Sequence, residues 1–152
     1  MLPLDAAARA GAVVKKVILL VEDSDDDVAL TRRAFDKHRL ANEIVVASDG
    51  QQALDMLLAP EPLVPQVVLL DLNLPRLGGL EVLRRLRADP RTALLPVVVL
   101  TSSDQDRDVI ESYRLHANSF VRKPVDFLEF VEAARQLGLY WLVLNEPPRK
   151  DV

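Results

Sequence analysis

From Lys16 onward, apolar positions follow two alternating patterns. Five short runs are continuous and rich in Val, Ile and Leu: Val17–Val21, Ile44–Ala47, Val67–Leu70, Val97–Leu100 and a weaker Ser119–Val121. A strand covered on both faces reads this way, because neither face meets water; a half-exposed strand alternates instead. Longer amphipathic stretches begin near Ser24, Gln51, Gly79, Asp104 and Asp126, each long enough for a crossover helix. Five strands alternating with five helices predict an α/β fold with a doubly wound, five-stranded parallel sheet.

Local signals mark the element ends. Ser24 or Asp25 is placed to cap the first helix, and Asp104 the fourth, by accepting from free N–H groups of the first turn. In the fourth helix Val109, Ile110, Tyr113 and Ala117 form an expected apolar face. Asp25, Asp26 and Asp27 read as a solvated first turn favoured by the helix dipole. Helix-spaced Phe127, Phe130, Val131, Ala134, Leu137 and Trp141 are expected to pack on the sheet, whereas Leu139, Tyr140, Trp141, Leu142, Val143 and Leu144 would be apolar all round a helix. Such an end needs outside cover, and a second subunit is the expected source. The chain therefore divides into a weakly ordered arm (1–14), one domain (15–138) and a C-terminal extension that dimerises (139–152).

Composition narrows the chemistry. Among 152 residues there is no Cys, which excludes disulfides, thiol nucleophiles and Cys-based metal sites. The two His, His38 and His116, are too few for a His-rich metal cage and read as surface or loop residues. The five Gly form neither GxGxxG nor GxxxxGK[ST], so both common phosphate cradles are missing. A net charge of −4 argues against broad nucleic-acid binding. The longest apolar run, six residues, is far short of the ~20 that span a membrane. With no signal-peptide pattern, a cytoplasmic protein is the expectation.

In a parallel α/β sheet, function gathers at the carboxyl ends of the strands. Glu22 and Asp23 follow the first run, Asp71 and Asn73 the third, Thr101 and Ser102 the fourth, and Lys123 the fifth. Clustered carboxylates repel one another unless a cation compensates them. Oxygen ligands without His or Cys suit Mg²⁺. A metal, a lysine and a hydroxyl around Asp71 are equipment for holding a phosphoryl group on that carboxylate.

These segments, Val21-Glu22-Asp23, Leu69 to Pro75 with Gly79 beyond it, Leu100-Thr101-Ser102 and Phe120 to Pro124, resemble the receiver domains of two-component response regulators. The resemblance runs from about Lys16 to Leu137. It implies the flavodoxin-like strand order 2-1-3-4-5 with an extended C-terminal helix. It also implies that Asp71 accepts a phosphoryl group from a sensor histidine kinase. Glu22, Asp23, Asp71 and the Asn73 main-chain carbonyl would hold Mg²⁺, and Lys123 would pair with the aspartate through a cis Lys123–Pro124 bond. Thr101 would swing to the phosphate and Phe120 follow it inward, remodelling the face made by the fourth helix, fifth strand and fifth helix. Phe120 stands where many receivers have Tyr, so its coupling must come from packing alone.

A narrower resemblance lies in Asp108 to Asn118 and Tyr140 to Pro148. These are similar to single-domain regulators that partner bacterial phytochromes, in which the C-terminal segment helps build a homodimer. The expected role is a phosphoacceptor signalling protein in a phosphorelay, not an enzyme, passing output to a partner. An aspartyl-phosphate phosphatase of haloacid-dehalogenase type is the alternative. It needs a second carboxylate where Asn73 stands, and a carboxamide cannot shuttle protons. A flavin carrier on the same fold would face repulsion between its phosphate and three carboxylates.

Overall fold

A computed structural model describes residues 16–37 and 42–148. The arm 1–14, His38 and the last four residues of the extension lie outside them. The strands are β1 (Lys16–Val21), β2 (Asn42–Ala47), β3 (Val67–Leu70), β4 (Val97–Thr101) and β5 (Ser119–Arg122). All neighbouring pairs are parallel, in the order β2-β1-β3-β4-β5. The helices are α1 (Asp25–Lys37), α2 (Gly50–Leu57), α3 (Gly79–Ala88), α4 (Asp106–Arg114) and α5 (Phe127–Gly138). A π-helical turn, Leu139–Leu144, continues directly from α5.

Successive strand residues point to opposite faces, and so two cores form. Leu19, Val21, Val68, Leu70, Val97 and Val99 pack with Leu54 and Leu57 of α2 and Val82, Leu83 and Leu86 of α3. Ile18, Leu20, Val67, Leu69 and Val98 pack on the other side with Ala34 and Phe35 of α1 and Ala134 of α5. Every residue of β3 and β4 is buried, which is why their sequences show no alternation.

The edge differs from expectation in four places. α4 starts at Asp106, and no side chain of its cap residue Gln105 bonds to it, so Asp104 is not its cap. The Ser103 hydroxyl is there instead, accepting from Gln105 N–H at 3.4 Å and donating to Asp108 Oδ2. The expected apolar face of α4 points partly outward: Ile110 and Tyr113 are half exposed, and within the helix Ser112 alone is fully buried. Phe127 is exposed too, covered by the Arg33 guanidinium 5.5 Å from its ring centre.

The fourth difference is the C-terminal run, which splits. Trp141 and Leu142 are buried against the core beneath α1 and α5, whereas Leu139, Tyr140, Val143 and Leu144 are exposed. The π winding is closed by Asn145 N–H donating to Tyr140 O at 2.6 Å. The Lys16 ammonium holds the turn by donating to the Leu142 carbonyl. Among the described residues, no helix is long and apolar enough to cross a membrane.

Candidate functional site

The last bonds of the sheet ladder set the site residues in place. Glu22 N–H donates to Ala47 O (2.9 Å), Asp71 N–H to Val21 O (3.1 Å) and Lys123 N–H to Thr101 O (2.8 Å). The residue just past each of β1, β3 and β5 is thus delivered with its backbone already fixed. Behind Asp71, Gly79 N–H donates to Leu72 O at 3.1 Å. A β-carbon at Gly79 would stand 2.4 Å from Asp71 O, so only glycine allows the start of α3 this close.

Asp71 is the point of convergence. Its Oδ1 accepts from the Thr101 hydroxyl at 2.7 Å and from Asn73 N–H at 3.1 Å. Its Oδ2 accepts from Lys123 Nζ at 3.1 Å. Thr101 is fully buried and already on the carboxylate, so the swing expected of it would begin from contact. Phe120 is half buried and packs against the core shared by α2 and α3. Among the described residues no peptide bond is cis, so the Lys123–Pro124 bond is trans, contrary to expectation. Trans is the lower-energy form even before proline, by about 0.5–1 kcal/mol, and in it Lys123 reaches its partners.

Lys123 Nζ also donates to Glu22 Oε1 at 2.5 Å and to Asp27 Oδ2 at 2.8 Å. Asp27 is the residue that sequence reasoning missed. Asp25 and Asp26 are exposed as expected, but Asp27 turns into the site. Its place in the first turn of the helix leaving β1 was the available signal. Ser24, not Asp25, caps that turn, its Oγ accepting from Asp27 N–H at 3.2 Å. His116 is exposed in a left-handed conformation (φ 62°) and takes no part.

Three carboxylates bond one ammonium and Asp23 stands beside two of them, and the electrostatics reflect it. Burial pushes the Glu22 carboxyl up to about 7, and the Asp71 charge adds to the push against the opposing pull of Lys123. For Lys123, burial works against the charge. Hydrogen bonds to Asp27 and Glu22, with the charges of Asp71 and Glu22, outweigh it and hold its pKa above the ordinary lysine value. Glu22, Asp23 and Asp71 each offer an oxygen within 4.8 Å of the others. An all-oxygen donor set with surplus negative charge fits a hard divalent cation.

The strand ends of this parallel α/β sheet thus carry an acidic cluster bonded to a buried lysine. Residues 18–135 match the response regulator receiver domain. The chain is 38% identical over 135 residues to the probable methanogenesis regulatory protein FilR2 of Methanothrix harundinacea, covering 87% of each. It is 36% identical to the response regulator Rcp1 of Synechocystis, covering 84% of this chain and 89% of Rcp1. The Mn²⁺-bound structure of Rcp1 superposes with a TM-score of 0.83, covering 88% of this chain and 99% of that one. The bacteriophytochrome response regulator RtBRR is 48% identical, with a TM-score of 0.67, covering 90% and 86%. The chain belongs to the response regulator receiver domain family, and is related to the phytochrome response regulators.

Proposed function

We propose that the chain receives a phosphoryl group on Asp71 from a sensor histidine kinase of phytochrome type, in a Mg²⁺-dependent step of a cytoplasmic two-component relay. The observation that carries this is the convergence of Thr101, Asn73 N–H and Lys123 on one buried carboxylate beside Glu22 and Asp23. Glu22, Asp23, Asp71 and the Asn73 carbonyl would hold the cation. When bound, it offsets negative charge on the phosphoryl oxygens. A carboxylate oxygen of Asp71 bonds to phosphorus as the P–N bond of the kinase phosphohistidine breaks. The electron pair leaves on the imidazole nitrogen, which takes up a proton. Lys123 neutralises the incoming charge, and Thr101 shifts its donated hydrogen bond to a phosphoryl oxygen. Asn73 lacks the basicity to activate water, so the acyl phosphate persists as a signal.

Similarity to RtBRR supports the choice of kinase class. With Thr101 drawn to the phosphate, Phe120 repacks and the α4-β5-α5 face changes shape. The exposed side of the C-terminal turn, Leu139, Tyr140, Val143 and Leu144, is the surface a second copy would cover. The central test is phosphorylation by acetyl phosphate with Mg²⁺, read by intact mass. One phosphoryl group per chain is expected, and none on Asp71→Asn. Equal modification of that variant would reject the assignment.

A further inference from the structure

An ammonium has three N–H donors, and Lys123 commits each to a different carboxylate: Glu22, Asp27 and Asp71. Two of those partners have a second task. Glu22 and Asp71 belong to the acidic cluster whose oxygens lie within 4.8 Å of one another, and Asp27 does not. Asp27 is held on its own helix from both sides, its N–H donating to Ser24 Oγ and its carbonyl accepting from the Thr31 hydroxyl at 2.8 Å. Its side chain is 28% exposed and that of Lys123 only 9%, so their bond is largely shielded from water.

We infer that Asp27 is the positioning residue of Lys123, the one carboxylate that keeps the ammonium at the strand ends when Glu22 and Asp71 turn to a cation and a phosphoryl group. The inference rests on the reading of Asp71 as phosphoacceptor. A lysine is a point charge on a flexible four-carbon stem. Without Asp27, its ammonium leaves for solvent once Glu22 and Asp71 turn to the cation, and it spends less time where the phosphoryl group arrives. The neighbouring aspartates supply the control: Asp26 carries the same charge in the same helical turn but is exposed.

The test compares the full-length chain with Asp27→Asn, Asp27→Glu and Asp26→Asn. The first readout is acylation of Lys123 by an amine-reactive reagent, with Mg²⁺ present and no phosphodonor, followed by mass spectrometry. Labelling is expected to rise several-fold in Asp27→Asn and to stay at the wild-type level in Asp26→Asn. The second is the rate of acetyl phosphate modification at saturating Mg²⁺. It should fall about tenfold in Asp27→Asn, as for loss of one charge-assisted hydrogen bond, and recover at least partly in Asp27→Glu. Unchanged labelling in Asp27→Asn, or equal effects from Asp26→Asn, would overturn the inference. Asp71→Asn keeps the two readings separable. If that variant is still phosphorylated, the phosphoacceptor assignment fails, while the labelling still reports whether Asp27 holds Lys123.

Discussion

β3 and β4, in the middle of the sheet, contrast with β5 and α4 at its edge. The central strands bury every side chain and are flanked by α3, whose Val82, Leu83 and Leu86 are fully covered. β5 is only half buried, and within α4 just Ser112 is buried, its hydroxyl without a hydrogen-bond partner among the described residues. Polar ties substitute for the missing core. Ser103 grips Asp108 at the start of α4. At its end the Arg87 guanidinium donates to the carbonyls of Leu115 and His116, and also to those of Thr92, Ala93 and Leu95. Glu22, Asp71 and Thr101 thus stand on the well-packed strands, while Lys123 follows β5, on the side held by a few replaceable bonds. Two discrete packings are far easier to reach for such an edge than for a close-packed core.

Stability measurements can break this comparison most directly. Leu83→Ala in α3 should cost about 2–5 kcal/mol, the usual price of a core cavity, whereas Ile110→Ala in α4 should stay within about 0.5 kcal/mol. Urea unfolding of the two variants decides it; equal losses would mean that α4 is as firmly packed as α3.

A second test concerns the exposed side of the C-terminal turn. Replacing Tyr140 and Val143 together by Glu leaves the buried Trp141 and Leu142 in place. The dissociation constant of the proposed dimer should rise about tenfold or more, equivalent to ~1.4 kcal/mol. Light scattering after size exclusion checks it, and a wild-type chain that stays monomeric at high micromolar concentration would remove the dimer from the reading.

The smallest effect is the pH dependence carried by Glu22. Its carboxyl is raised in the fold from an ordinary 4.5 to about 7. The folded chain therefore binds an extra proton in that window, and the stability this gives at low pH is lost as pH rises from about 4.5 through about 7. Between pH 5 and 7.5 in Mg²⁺-free buffer, the wild type should lose roughly 1 kcal/mol more than Glu22→Gln, after discounting the shift for solvent screening. Parallel curves for the two proteins would show that Glu22 is not under strain from its neighbours.

Much of the site was legible because a parallel sheet gathers strand ends whatever its loops do. Glu22, Asp23, Asp71, Thr101 and Lys123 each stand within two residues of the end of an apolar run, so their convergence required only the strand order. Asp27 was not legible, because a third aspartate in a helix's first turn looks the same whether it faces water or a lysine ninety-six residues away. The start of α4 was hidden for a similar reason: Asp104 has the right chemistry for a cap, and only the geometry of the turn leaves it out and brings Ser103 onto Gln105 N–H and Asp108.

The sequence by itself determined the α/β architecture, the buried central strands and the identity of the groups at their ends, because continuous apolar runs and the polar residues just after them are local facts. Tertiary structure decided what depends on direction. It turned Ile110 and Tyr113 outward, drew Trp141 and Leu142 into the core while leaving Tyr140 and Val143 outside, and shared the three donors of Lys123 among Glu22, Asp27 and Asp71. Apolar periodicity says that a helix has a face to bury. Which neighbours cover that face depends on helices and strands far away in the chain, and no local pattern encodes their position.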